Sequence, residues 1–213
     1  MLLQRSTDAL ATLRLPLLAA VLVMSGCVAT GTNSSTNSKA EGQASVDVPP
    51  QALTLFEQAA AIMAAGDLVD AELRFKEFLR RYPDYPGGHV NLAIIHIFNG
   101  DEAAAQADID AALALNPNYP AALNQQGMLF RRNGKFIEAE AAYLKAVTAS
   151  PDYALAHYNL GVLNELYLQR LDYALENFEQ YQLLVGNDKQ VEKWIIDLRR
   201  RVAANRRTAN VAE

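Results

Sequence analysis

Apolar residues recur three or four positions apart along residues 51–186, in segments separated by short polar stretches that contain glycine or proline. This spacing is typical of amphipathic helices and differs from the strict alternation of strands. It predicts eight helices, and a ninth follows because five apolar residues after position 188 fall on one helical face. The predicted helices are 51–64, 67–81, 86–98, 101–115, 120–132, 135–149, 154–168, 171–184 and 188–206.

The helices also repeat along the chain. A step of 34 residues separates three glycines, three prolines and three alanines, and a fourth alanine follows after 35 residues. Three residue types that share one period indicate a repeat architecture. The residues are Gly66, Gly100 and Gly134; Pro83, Pro117 and Pro151; and Ala71, Ala105, Ala139 and Ala174.

Each repeated residue type has a physical role. The glycines suit a tight turn between two helices, because they have no Cβ atom. The alanines allow the two helices to approach closely, and a large apolar residue four positions later fills the space behind each one: Phe75, Ile109, Tyr143 and Phe178. The fourth copy has Gln169 in place of the glycine, one extra residue, and Gly186 in place of the proline. Its turn is therefore predicted to be longer or distorted.

The stretches AGDLVDAELRFKEFLRRYP (65–83), NGDEAAAQADIDAALALNP (99–117) and NGKFIEAEAAYLKAVTASP (133–151) resemble the tetratricopeptide repeat family. The resemblance implies an all-α superhelix over residues 51–186, built from four helix-turn-helix units at about 52–85, 86–119, 120–153 and 154–187. The helix 188–206 is expected to cap the apolar end of the stack, with Trp194 packed on the fourth unit. Residues 207–213 are expected to form a disordered tail.

The same resemblance implies that the first helices of the units line a concave groove for a partner protein. For each apolar groove residue, the alternative is the core between repeats. Phe56 and Ala60 stand where related chaperone-binding repeats carry a basic cluster, so no carboxylate clamp is expected. The groove positions carried over to this sequence are Phe56, Met63, Val90, Asn91, Ile94, Asn124, Gln125, Met128, Arg131, Tyr158, Asn159 and Glu165.

Before the repeats, the chain carries a segment with the features of a secretory signal. Arg5 and Arg14 precede the uncharged run LPLLAAVLVMSG (15–26), which is shorter than the roughly 20 residues of a membrane span. The only cysteine, Cys27, follows at once and has no partner for an internal disulfide. This order resembles the lipobox of bacterial lipoproteins. The alternative is an ordinary signal peptide, or a helical anchor, with an incidental cysteine.

The lipoprotein resemblance implies that residues 1–26 are removed, that Cys27 is lipidated, and that 27–50 form a flexible tether. The tether is rich in Ser, Thr, Asn and Gly, and a chain of that kind has a reach of roughly 26 Å. The residue after the cysteine is Val28, and not the aspartate that would keep such a lipoprotein out of the outer membrane. For a Gram-negative source, the resemblance then implies an outer-membrane lipoprotein that faces the periplasm.

The formal net charge is −5, which argues against a general nucleic-acid binder. Positive charge gathers only near the C-terminus, where residues 188–207 hold seven Lys or Arg against three acids. Within it, Arg199, Arg200 and Arg201 are candidates for contact with an acidic partner or an anionic surface.

The sequence shows no catalytic, metal-binding or phosphate-binding pattern. His89 and His157 occupy equivalent repeat positions and are predicted to be packing residues, and no cysteine or nearby carboxylate completes a metal-ligand spacing with His96. No glycine pattern of a phosphate-binding loop is present. A protein without enzymatic activity, cofactor or metal is predicted.

These observations predict a lipid-anchored adaptor that supports an envelope machine of the pilus or secretin type. The signal, tether and repeats together resemble the pilotins of type IV pili and Tad-type pilus lipoproteins. They also resemble accessory proteins of TonB-type systems and adaptors for peptidoglycan hydrolases. Two other classes stay open: a structural element that docks through its cap and convex face, and an enzyme subunit that acts on glycan or lipid.

Overall fold

The computed structural model describes residues 48–211, with side chains as far as residue 207. The predicted signal, Cys27 and nearly all of the tether lie outside this range. The described residues form nine helices and no strand, which confirms the all-α prediction. The helices are α1 (Pro50–Ala64), α2 (Leu68–Arg81), α3 (Pro86–Asn99), α4 (Glu102–Leu115), α5 (Pro120–Arg132), α6 (Phe136–Ala149), α7 (Ala154–Leu166), α8 (Leu171–Val185) and α9 (Lys189–Val211).

The bounds of α1 to α8 agree with the predicted bounds to within two residues, but α9 is longer than predicted. It continues to Val211, so the expectation of a disordered tail is wrong for residues 207–211. The segment after Val202 contains no glycine or proline that would end a helix, and it is rich in alanine and arginine, which favour one.

The chain divides between Asp84 and Tyr85 into two compact parts. In the N-terminal part, α1 and α2 pack around Phe56, whose ring lies 5.5 Å from Phe75 and 5.5 Å from Phe78 in edge-to-face contacts. Asp67 caps α2 by accepting a hydrogen bond from the backbone N–H of Asp70.

The C-terminal part consists of three helix pairs, α3/α4, α5/α6 and α7/α8, followed by α9. The first helices α3, α5 and α7 contact one another in succession, whereas each second helix packs on its own partner and on the next first helix. The repeated alanines are fully buried, and so are the large apolar residues that follow them. The roles predicted for these two positions are therefore confirmed.

The turn of the fourth repeat differs from the others at Gln169. Its φ of 57° is left-handed, a region in which Gly100 and Gly134 also lie with φ of 79° and 73°. The Gln169 amide donates long hydrogen bonds of 3.3 Å to the carbonyls of Glu165 and Leu166. A side chain in this conformation costs about 1–2 kcal/mol, and these bonds recover only part of that.

Replacing Gln169 with glycine is therefore expected to raise the free energy of unfolding by about 0.5–1 kcal/mol. Urea denaturation of the two proteins measures the difference. Gln169→Ala is the matched control: it keeps the Cβ atom and removes the amide, so it should bring no gain. A loss of stability in Gln169→Gly would show that the side-chain hydrogen bonds outweigh the strain.

The last helix, α9, closes the stack. Asp188 begins it by accepting hydrogen bonds from the N–H groups of Gln190 and Val191. Trp194 packs among Val162, Phe178 and the other buried apolar residues of α9, as predicted. Among the described residues, no helix combines the length and the apolar character that crossing a membrane requires.

Candidate partner-binding surface

Most of the apolar residues predicted for the groove are core residues. Phe56 and Met63 are fully buried between α1 and α2, and Val90 is buried against Ala112, Ala121 and other small residues. The prediction that these three contact a partner is wrong, because the packing of neighbouring helices already covers them. The two remaining apolar residues, Ile94 and Met128, are half-buried.

Three of the predicted groove amides are also interior. Asn91 donates to the carbonyl of Gly87, one turn earlier on α3. Asn159 donates to Asn124 Oδ1 at 2.9 Å, which joins α7 to α5. Asn159 and Asn124 thus satisfy one another across two helices, whereas Asn91 Oδ1 is enclosed and has no hydrogen-bond partner among the described residues. The bond between Asn159 and Asn124 joins two first helices, and all three amides are buried and not open to a partner, contrary to the prediction.

The predicted groove residues of the fourth unit lie beneath α9. The Tyr158 ring is 5.2 Å from Tyr181 and 6.1 Å from Trp194. Glu165 is only 3% exposed and pairs with Arg201 of α9 at 2.7 Å. Burial, and then the carboxylate of Asp188 that accepts its hydrogen bond, raise the pKa of Tyr181. The prediction placed Tyr158 and Glu165 in an open groove, and the capping helix fills that place.

What stays partly accessible is a smaller surface on α3 and α5, made of the half-buried Ile94, Met128 and Arg131 and the nearly buried Gln125; we call it the α3–α5 surface. Met128 lies three residues from both Gln125 and Arg131, so the three side chains are neighbours on α5. Gln125 is 5% exposed, yet its amide has no hydrogen-bond partner among the described residues and is not fully enclosed. Arg131 is half-buried and makes no ion pair with any described residue.

A cluster of charged and polar side chains on α3 and α4 was missed by sequence reasoning. His89 Nδ1 lies 2.9 Å from Asp108 Oδ1, and His96 Nε2 lies 3.4 Å from Asp108 Oδ2. The repeat register could have revealed it, because His157 faces Asn177 at 3.4 Å in the equivalent place of the fourth unit. The carboxylate sits between the rings. Across the described residues, no three His, Cys, Asp or Glu side chains are placed to hold a metal ion.

The three arginines predicted to meet an anionic partner already have carboxylate partners. Arg199 pairs with Glu179 at 2.7 Å, Arg200 with Asp197 at 2.6 Å, and Arg201 with Glu165. These contacts attach α9 to α7 and α8 or lie along α9 itself. Arg199 and Arg201 thus connect the cap to α8 and α7, and only the Arg201 pair is largely buried.

The family model described as tetratricopeptide repeat matches residues 90–154 and 124–182. The matched residues run from α3 to α8, where the helix pairs and the 34-residue period coincide. The chain is a tetratricopeptide-repeat protein.

The tetratricopeptide protein has relatives in several kinds of organism. It is 32% identical over 107 residues to the photosystem I assembly protein Ycf3 of Rippkaea orientalis, which is 45% of this chain and 61% of Ycf3. It is 44% identical over 57 residues to human protein O-mannosyl-transferase TMTC2. Those residues are 27% of this chain and 7% of TMTC2, and a match to mouse DnaJ homolog subfamily C member 3 covers 18% of that protein. The chain thus spans less than two thirds of these relatives.

Solved structures share the fold. A structure of Pseudomonas aeruginosa PilF matches with a TM-score of 0.63 and 21% identity, over 72% of this chain and 69% of the other. TTC0263 of Thermus thermophilus matches with a TM-score of 0.61 and 22% identity, over 70% and 82%. At these identities the likeness shows the tetratricopeptide fold alone. Repeats of this kind present surfaces that bind other proteins.

Proposed function

We propose that this tetratricopeptide protein is a non-enzymatic, lipid-anchored adaptor that binds a segment of a partner protein in the periplasm. The partner belongs to an envelope machine of the pilus or secretin type. The observation that carries the binding proposal is the Gln125 amide, which makes no hydrogen bond with the described residues and, unlike the enclosed Asn91 and Asn164 oxygens, keeps some contact with the surface. Only a small part of this amide is open to solvent, so the backbone of a bound chain would give it better-ordered hydrogen bonds than water does.

The α3–α5 surface fits one kind of ligand segment. The Gln125 amide can donate to a carbonyl and accept from an N–H of an extended backbone. Ile94 and Met128 offer an apolar contact, and the flexible Met128 side chain adapts to different apolar partners. Arg131 can pair with a carboxylate through two parallel hydrogen bonds. The preferred segment therefore has an apolar residue and an acidic residue close together.

The anchor and the pilus assignment rest on sequence features. The run LPLLAAVLVMSG followed by Cys27 resembles a lipoprotein signal, and the signal, tether and repeats resemble type IV pilotins. PilF has the same fold. A diacylated or triacylated cysteine would hold the chain at a membrane, because stable attachment takes two or more acyl chains.

A photo-crosslinking residue at Met128, in the full chain and in living cells, tests the proposal. We expect one dominant protein adduct. The double variant Gln125→Ala, Arg131→Ala should reduce its yield about tenfold or more, because each substitution removes a polar contact with the partner. Lys145→Ala replaces an exposed residue of α6; it is the matched control and should leave the yield unchanged. An adduct of unchanged yield in the double variant would place the partner elsewhere.

The same cells test the anchor. Cys27→Ser is expected to move the chain from the membrane fraction to the soluble fraction and to weaken the adduct, because tethering raises the local concentration. A chain that stays in the membrane fraction after this change would refute lipidation as the means of attachment. The double variant Gln125→Ala, Arg131→Ala would then be the only test of the binding surface.

A further inference from the structure

The outer face of α9 carries a line of positive charge. At about 100° per residue, Lys189, Lys193, Arg200 and Arg207 lie within about 20° of one line along the helix, opposite its buried face. All four side chains are exposed, and Ile196, beside the line, is 61% exposed. We call these five residues the outer strip.

The outer strip differs from the other cations of α9 in its partners. Arg199 and Arg206 reach Glu179 and Asp172 of α8 from one flank, and Arg201 reaches Glu165 of α7 from the other. Among the described residues, Arg200 is the only cation of the strip with an ion-pair partner, which is Asp197.

Lys189, Lys193 and Arg207 make no ion pair with any described residue. The acids nearest in sequence, Glu192 and Asp197, lie about 60–80° to the sides of the line. A chain of net charge −5 thus exposes a strip of positive charge in which three of the four cations have no carboxylate partner among the described residues.

An apolar tip lies at the N-terminal end of the strip. Leu183, Leu184 and Val185, the last residues of α8, are 77%, 41% and 45% exposed. Asp188 separates them from Lys189, but its carboxylate is engaged by the first N–H groups of α9 and by the Tyr181 hydroxyl. Three consecutive exposed apolar residues beside a row of cations are unusual on a surface that faces only water.

We propose that the outer strip and the tip formed by residues 183–185 dock on an anionic phospholipid surface. The lysine and arginine side chains would lie at the phosphate groups, and the three apolar side chains would enter the boundary between headgroups and acyl chains. An acidic protein would account for the charges but would give the adjoining apolar tip no role. This surface lies on α9 and the end of α8, shares no residue with the α3–α5 surface, and does not depend on Cys27.

Vesicle sedimentation with the full chain tests the proposal. We compare binding to vesicles of equal parts phosphatidylcholine and phosphatidylglycerol with binding to phosphatidylcholine alone. Each charge near an anionic surface contributes about a factor of five. The variant Lys189→Gln, Lys193→Gln, Arg207→Gln should therefore lower the ratio of the two affinities by roughly 100-fold. Residues 1–26 are the same in every protein, so their own affinity for vesicles is common to every comparison.

The matched control, Arg80→Gln, Lys135→Gln, Lys145→Gln, removes the same charge from exposed positions outside α9 and should keep the ratio. Leu183→Ser with Leu184→Ser should weaken binding to the anionic vesicles about tenfold or more and leave its salt dependence unchanged. Equal losses in the strip variant and the control would overturn the proposal. So would a full chain that binds soluble polyglutamate but prefers neither vesicle, a result that would favour an acidic protein.

Discussion

Replacing Arg201 with alanine is expected to lower the free energy of unfolding of the C-terminal part by about 3 kcal/mol. The Glu165 carboxylate is 3% exposed and lies 2.7 Å from the Arg201 guanidinium, whose side chain is 31% exposed. Taking the arginine away leaves a buried carboxylate without the cation that compensates its lost hydration. Urea denaturation, monitored by circular dichroism, measures the loss. If the fluorescence of Trp194 changes at a lower urea concentration than the circular dichroism, α9 detaches first.

Two variants make the Arg201 result specific. Arg200→Ala removes the neighbouring arginine, whose side chain is 76% exposed and which pairs along the helix with Asp197. It should cost no more than about 0.5 kcal/mol. Glu165→Leu combined with Arg201→Met should recover most of the loss, because apolar residues of similar size can replace a buried ion pair. If Arg200→Ala and Arg201→Ala cost the same, the buried pair does not hold the cap.

Replacing Gly161 with alanine is expected to cost about 2 kcal/mol, although alanine favours a helix more than glycine does. A Cβ atom at Gly161 would lie 2.7 Å from Cδ1 and from Cε1 of Phe178, well inside carbon contact distance. The ring cannot move aside easily, since it is fully buried between Tyr158 and Trp194. Thermal and urea unfolding of the variant measure the cost.

The double variant Gly161→Ala, Phe178→Leu tests the cause. The smaller leucine should relieve the overlap, so the two changes together should cost clearly less than the sum of their separate costs. Simple additivity would mean that the overlap is relieved by a backbone shift elsewhere. Gly186→Ala is a useful reference, because a Cβ atom there meets open space and only the left-handed backbone, with φ of 85°, opposes it.

The helices and their pairing could be predicted from the sequence because the same physical signals occur in every unit. The turn glycines, the small alanine and the large residue four positions later recur with one period, and each has a single structural meaning. The exceptional turn at Gln169 was predicted from its departure from that period. The length of α9 was not, since the residues after Val202 belong to no repeat and helix propensity alone decides where the helix ends.

The candidate site was less predictable, for a physical reason. A half-buried groove residue and a core residue have the same spacing and the same apolar character, so Val90 and Ile94 cannot be told apart in the sequence. The pairing of Asn159 with Asn124, and of Glu165 with Arg201, joins residues 35 or 36 positions apart on different helices. Such contacts follow from the exact stacking of helices, which the period alone does not specify.

The way α9 ends the stack has a consequence for the growth of such proteins. It packs on α8 much as α7 packs on α6, so it covers the face on which the first helix of another unit would pack. The end is thus sealed by a separate element and does not require a fixed number of units. A duplication that adds one 34-residue segment ahead of the fourth unit would lengthen the protein and leave the sealed end as it is, so gene duplication could readily vary its length.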